Sequence, residues 1–334
     1  MMSGVELSPT AWSTAMTGAL YGEQGFYRQA PGPGAHFRTS AHVGPAFATA
    51  VAELLGRVDH ALGHPPRLDL VDVGSGRGEL LVEVARLAAS GLPLAPRLRL
   101  HGVELAGRPP GLPAAIGWST EIPPVTGVLL ANEWLDVVPV DVVELTAAGL
   151  RTVLVDAEGA ESFGPPPSPA QAQWLDRWWP LTRIGDRAEV GLPRDVAWAG
   201  AVDRVRAGLA VAVDYGHLLD TRPADGSLVG YRSGVVVAPV PDGASDLTAH
   251  VAWDSCAAAA GIPGRLYRQR EVLAELGVLA TAPDRDAARS DPGSYLRGLR
   301  DAGDAAELTD PAGLGGFGWL VHGVGIAVPL GSER

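Results

Sequence analysis

The stretch RLDLVDVGSGRGELLVEVARLAAS, residues 67–90, constrains the fold more tightly than any other part of this chain. RLDLVDV is a short apolar run with flanking turn residues, which predicts a buried strand. Gly74, Gly76 and Gly78 follow within five residues. Glycines at that spacing suit a sharp turn whose backbone approaches a ligand closely. ELLVEVARLAAS then has helical periodicity. RLRLHGVE (97–104) reads as a second strand and VTGVLLANE (125–133) as a later one of the same kind. Strand, glycine turn, helix, strand is the opening of an α/β fold with a doubly wound, mostly parallel sheet, which binds ligands at the carboxyl ends of its strands.

The flanking segments set the expected organisation. The first 40 residues, rich in Gly and Pro around aromatics, read as an irregular arm or lid, taken as 1–45. Phe47, Val51, Leu54, Leu55, Val58 and Leu62 recur at helical spacing. After Pro139, VDVVEL and LRTVLVD predict an antiparallel hairpin, and QAQWLDRWWP and PRDVAWAGAVDRVRAG predict helices. GLAVAVDYG then resumes a buried strand. These patterns place the core at 46–140 and 207–334, with an inserted hairpin and helical substrate-binding subdomain at 141–206. The last third reads as VGYRSGVVVAPV, helices near 269–277 and 284–302, and closing strands in GFGWLVHGVGIAV.

Of the 334 residues, 46% are hydrophobic and 19% charged, enough to bury a core. A net charge of −12 speaks against a nucleic-acid or anionic-membrane surface and mildly favours a basic substrate. All 26 basic residues are Arg, so lysine Schiff-base chemistry and a phosphate-loop lysine are excluded. The single Cys256 leaves no intrachain disulfide or multi-cysteine metal site, and in WDSCAAAA it reads as a core residue. The N-terminus lacks a secretory pattern and no run reaches membrane-spanning length, so a cytoplasmic protein is expected.

Both nicotinamide dinucleotides and S-adenosylmethionine use glycine turns of this kind. Asp72, expected at the carboxyl end of the first strand, would repel a pyrophosphate but attract an ammonium and a sulfonium. Glu104, ending the second strand, suits ribose hydroxyls in either ligand. A turn-capping Asp72 and a solvated Glu104 are the bland alternatives. In ANEWLDVVPV (131–140), Asn132, Glu133 and Asp136 crowd the mouth of an apolar strand.

VDVGSGRGEL (71–80), ANEWLDVVPV (131–140), VDYGH (213–217), SLVGYR (227–232) and DLTAHV (246–251), in that order, resemble the MidA family of class I S-adenosylmethionine-dependent methyltransferases. YRQREVLAELGV (267–278) and GAHFRTS (34–40) are similar to its pattern as well. The resemblance implies a Rossmann-like, seven-stranded methyltransferase sheet with an inserted helical subdomain. It also implies S-adenosyl-L-methionine as cofactor, with Asp72, Gly74, Gly76, Gly78, Glu104, Asn132 and the family-pattern Trp118 around it. Its mitochondrial members imply ω-nitrogen methylation of a protein arginine. Two departures stand out: His36 replaces the family Asp in the N-terminal arm, altering a cofactor or substrate contact, and the segment after Glu104 is short.

An arginine nucleophile must be aligned and must shed a proton, which paired carboxylates can assist. Glu133 is the expected guanidinium clamp and Asn132 an orienting amide. If Trp134 begins a helical turn, Asp136 shares the face of Glu133 as second clamp; a helix N-cap is the alternative. His217 is the candidate proton acceptor because histidine titrates near neutrality, and Tyr215 borders the substrate or packs. His250 and Asp246 match the family pattern with no derivable chemistry, and Trp174, Trp178 and Trp179 at helical spacing read as packing before peptide groove. The competing functions are a small-molecule N- or O-methyltransferase, a dinucleotide oxidoreductase, and a non-catalytic cofactor-binding assembly factor.

Overall fold

Strand β1 (Leu68–Val73) is buried along its whole length, and a sheet extends from it on both sides. The structure, a computed structural model, describes residues 8–28, 39–284 and 287–331. Parallel to β1 run β2 (Leu98–Val103) on one side and β4 (Val125–Asn132) on the other. β3 (Gly117–Ser119) pairs in parallel with β2, and β5 (Val205–Asp214) in parallel with β4. β7 (Gly318–Val324) runs antiparallel to β5, and β6 (Gly264–Arg268) antiparallel to β7. The order is therefore β6-β7-β5-β4-β1-β2-β3, seven strands of which only β7 runs against the rest. Apolar residues on successive positions of β1, β4 and β5 fit strands covered on both faces. Helix α1 (Pro45–Ala61), opened by a proline in its first turn, presents Phe47, Val51, Leu54, Leu55 and Val58 to this core. Helix α2 (Glu79–Ala89) begins directly after Gly78 and buries Leu80, Leu81 and Val84.

The sheet lies in one of two units, built from Arg38–Trp134, Gly200–Tyr215 and Ile262–Arg334. The other comprises Met1–Phe37, Leu135–Ala199 and Gly216–Gly261. The division thus differs from the expected one. Leu135–Val140 and Gly216–Gly261 group with the insertion because their side chains complete its cores. Leu247 packs with Val142, Val153 and Val155. The buried Glu189 carboxylate accepts the Ser227 N–H (2.8 Å), the Ser227 hydroxyl (2.9 Å) and the Leu228 N–H (3.1 Å).

The expected hairpin is present as Asp141–Thr146 against Gly149–Val155, with Arg187–Val190 pairing along the first of these strands. The helix Pro169–Trp178 carries Trp174 into a core with Val143, Ala188 and Val190, which Trp179 completes. The expectation of an irregular arm is corrected over residues 10–21, while residues 1–7 and 29–38 of that segment lie outside the described residues. Thr10–Ala11 adds to the Gly149–Val155 strand, and helix Trp12–Tyr21 buries Trp12, Met16 and Leu20 completely. Their spacing of four residues was a legible helical signal within a glycine-rich context. Among the described residues no helix is long and apolar enough to cross a membrane.

Candidate active site

Strand register brings the carboxyl ends of β1, β2, β4 and β5 to one edge of the sheet. Val73 pairs with Val103 and with Ala131, and Asn132 pairs with Val213. Between β1 and β4 the strand order reverses, which opens a crevice at the carboxyl edge of such sheets.

The glycine turn crosses this edge. Gly74 and Ser75 both donate their N–H to the Val103 carbonyl, at 3.0 and 3.2 Å, and Gly78 donates to the Ser75 carbonyl at 2.8 Å. Gly74 and Gly78 have φ of +72° and +83°, in the region that side chains with a Cβ enter at a cost. A Cβ on Gly74 would lie 3.0 Å from Cδ1 of Trp134, and one on Gly78 2.8 Å from Cδ1 of Leu112. Asp72 is buried beneath the turn and accepts a hydrogen bond from the Ser75 hydroxyl at 2.8 Å. Burial pushes its carboxyl up to about 7, against the pull of the Ser75 bond, and nearby Glu79 and Glu104 push the same way.

Glu104 follows β2 and spreads its carboxylate over three backbone N–H groups: Gly76 at 3.1 Å, Leu105 at 2.7 Å and Ala106 at 3.2 Å. Burial raises its pKa, and the three bonds oppose that rise. Trp118, in β3, lies against Gly102, where a Cβ would stand 2.6 Å from its Cε3, and its indole N–H donates to the Ala106 carbonyl at 3.2 Å.

At the end of β4, Glu133 has φ +51°, a left-handed conformation for a residue with a long side chain. Such strain persists only where neighbours over-determine it. Here the Glu133 N–H donates to the Val213 carbonyl at 2.7 Å. Its Oε1 accepts the Ser40 N–H at 2.9 Å and the Asn132 amide at 3.1 Å. The other amide atom of Asn132, Oδ1, is buried and has no hydrogen-bond partner among the described residues. Tyr215, one residue past β5, meets Phe317 edge-on at 5.3 Å between ring centres. His36 lies outside the described residues.

Asp136 and His217 belong to the other unit. The expected helical turn from Trp134 does not form: Trp134 is irregular and residues 135–138 are bends and a turn, because the left-handed Glu133 turns the chain out of a helical path. No helix therefore places Asp136 on a face with Glu133. Asp136 is buried, and its carbonyl accepts from the Arg194 guanidinium at 2.6 Å and the Ala249 N–H at 3.1 Å. Arg194, fully buried, also donates to the carbonyls of Val138, Ala249 and His250. It cross-links the turn carrying Asp136 to residues 249–250, a role that no sequence spacing announces.

The premise that His217 titrates near neutrality is corrected. Its Nδ1 faces the Arg222 guanidinium at 2.6 Å, and because that group only donates, the ring proton sits on Nε2. Burial first, then the charge of Arg222, pushes the imidazole down to about 3. Trp179 packs edge-on against it at 4.5 Å, and Arg222 is itself paired with Asp254. Asp246, buried, accepts the Tyr27 hydroxyl at 2.8 Å.

Residues 50–266 match the model of a family described as "Putative S-adenosyl-L-methionine-dependent methyltransferase". Among solved structures, a superfamily member from Burkholderia thailandensis described as a "likely methyl transferase" and bound to S-adenosyl-homocysteine shares 24% identity with this chain. That likeness covers 96% of this chain and 89% of the other, with a TM-score of 0.78. A native crystal structure of a superfamily protein from the same organism is similar over 96% of this chain and 88% of its own, at 24% identity and a TM-score of 0.77. At that identity the likeness is one of fold. No curated protein matches the chain.

Proposed function

This chain belongs to the S-adenosyl-L-methionine-dependent methyltransferase family, and on that premise we propose that it methylates an ω-nitrogen of arginine in a protein or peptide. The arginine reading follows the MidA family that its motifs resemble. The observation that carries it is Glu133: a strained backbone at the mouth of β4 that aims a carboxylate already held by two N–H donors.

The residues at the sheet edge fit S-adenosylmethionine. The buried carboxyl of Asp72, the carboxylate of Glu104 and the unpartnered Oδ1 of Asn132 are all acceptors. That set suits an ammonium, a sulfonium and two ribose hydroxyls, and is repulsive to a pyrophosphate. Gly74, Gly76 and Gly78 would let the ligand approach the turn. Trp118 would stand on the adenine side. When bound, the cofactor supplies an electrophilic methyl whose carbon–sulfur bond breaks to leave a neutral thioether, so the leaving group needs no acid.

The protein's own task is alignment and proton removal. A guanidinium keeps its proton up to pH above about 12, and its nitrogen lone pairs are delocalised. Glu133, fixed by Ser40 and Asn132, would bind two guanidinium N–H groups and concentrate positive charge on them, leaving the third nitrogen to attack. A new nitrogen–carbon bond forms, and the surplus proton passes from the methylated guanidinium to Glu133 and on to water. His217, held neutral with Nε2 protonated, is not the base in this scheme. Asp136 would act as support for the turn that follows Glu133.

The test is transfer of a labelled methyl group to cell lysate, followed by mass spectrometry of the labelled species. Methylarginine in protein, abolished by Glu133→Gln with cofactor binding retained, is the expected result. Label confined to small molecules, or unchanged turnover by the variant, overturns the arginine reading.

A further inference from the structure

We propose that Gln269 is a positioning residue for Glu133, acting through Ser40; this rests on the reading of Glu133 as the guanidinium clamp. Gln269, Ser40 and Trp319 are each 0% exposed, and all three belong to the unit that carries the sheet. The Gln269 side chain is fully engaged. Its Nε2 donates to the Ser40 hydroxyl at 3.2 Å and to the Leu308 carbonyl at 3.3 Å, and its Oε1 accepts the Trp319 indole N–H at 3.0 Å. Its backbone N–H donates to the Phe317 carbonyl at 2.8 Å. An amide held on both ends in a dry interior has one orientation, because rotating it would orphan several buried groups at once.

Ser40 converts that rigidity into aim. Gln269 grips its hydroxyl from the core side, while its backbone N–H donates to Oε1 of Glu133. The surrounding turn is closed by the His42 N–H on the Thr39 carbonyl at 2.8 Å and by the Thr39 hydroxyl against His42 Nδ1 at 2.7 Å. The far edge of the same turn reaches the cofactor loop, since His42 Nε2 stands 3.4 Å from Glu79, the first residue of α2. A buried glutamine can serve packing alone. What distinguishes Gln269 is that one of its acceptors is the residue whose N–H fixes the substrate acid. The relay joins segments near residues 40, 133, 269 and 319, which have no sequence proximity.

The experiment uses the 334-residue chain saturated with S-adenosylhomocysteine and Nα-acetyl-arginine methylamide as the probe, with binding read by calorimetry. The variants are Ser40→Ala, Gln269→Leu, Glu133→Gln and the Ser40→Ala/Glu133→Gln double. Glutamate labelled with carbon-13 at Cδ gives a direct view of the acid, its Glu133 resonance assigned by its loss in Glu133→Gln. We expect Ser40→Ala and Gln269→Leu each to shift that resonance and to weaken the probe about three- to tenfold, the range of one net hydrogen bond. Affinity for S-adenosylhomocysteine should stay within about twofold, and the double variant should bind like Glu133→Gln alone, the signature of action through Glu133. Losses that multiply in the double, or an unmoved resonance with unchanged probe affinity in both single variants, overturn the relay. Ser40→Ala removes only a hydroxyl and keeps the test available if Gln269→Leu does not fold. Failure of Glu133→Gln itself to weaken the probe overturns the clamp reading, and the relay with it, so the two failures are distinguishable.

Discussion

Replacing Asp72 by Asn should make the protein more stable and a poorer cofactor binder, in a pH window set by the carboxyl's own environment. Burial holds Asp72 up to about 7, against an ordinary value of 3.8. A folded-state pKa above the unfolded one means the native state keeps a proton that the unfolded chain releases. Wild-type stability is therefore unaffected by this group below pH 3.8 and declines as pH rises through about 7. At about 1.36 kcal/mol per unit, the full difference is roughly 4 kcal/mol, an upper bound. Asn keeps the shape and can still accept the Ser75 hydroxyl, but cannot ionise. The stability difference between variant and wild type, from urea unfolding at pH 4 to 8.5, should rise with pH and level off above about 7. Cofactor affinity should move the other way, roughly ten- to hundredfold weaker in the variant above that pH, because a charge-assisted contact to the ammonium is lost. A stability difference that stays flat with pH would refute the reasoning, since it would mean that Asp72 ionises as freely folded as unfolded. The opposed trends in stability and binding identify a functional carboxylate.

Gly78→Ala puts a side chain at φ +83° and 2.8 Å from Leu112, so thermal unfolding should show a loss of about 1–2 kcal/mol, with weaker cofactor binding. His217 should show no titration between pH 5 and 8 in nitrogen-15 spectra of the imidazole. Because its pKa is lowered to about 3, the stability it contributes is present above pH 6.5 and lost as pH falls toward 3. Trp12→Ala removes a 0% exposed ring and should cost about 3–5 kcal/mol in denaturant unfolding, where an irregular arm would show almost nothing.

The doubly wound sheet was legible because its signals are local. A six-residue buried strand rich in Leu and Val, glycines at fixed spacing and a helical period all lie within residues 67–90, and each follows from contacts a few residues apart. Asp72, Glu104, Asn132 and Glu133 could be nominated for the same reason, as polar groups where buried strands end. The Trp12 helix carries a legible four-residue period, but the glycines and prolines that follow it in the chain point to irregular structure instead. The turn that takes Asp136 off a helical face is not legible, because sequence carries no sign that Glu133 adopts a left-handed conformation.

By itself, then, the sequence determined the sheet, its glycine turn and the chemical types at the strand ends, since backbone preference and hydrophobic period act over short range. Tertiary structure alone decided what state those groups are in. The proton on His217 is set by Arg222, the carboxyl of Asp72 by its burial, and the aim of Glu133 by Ser40. Residues 216–261 joined the inserted segment through Leu247 and through the Glu189 bonds to Ser227 and Leu228. Desolvation and long-range hydrogen bonds depend on which distant residues the fold packs together, and linear spacing holds no record of that.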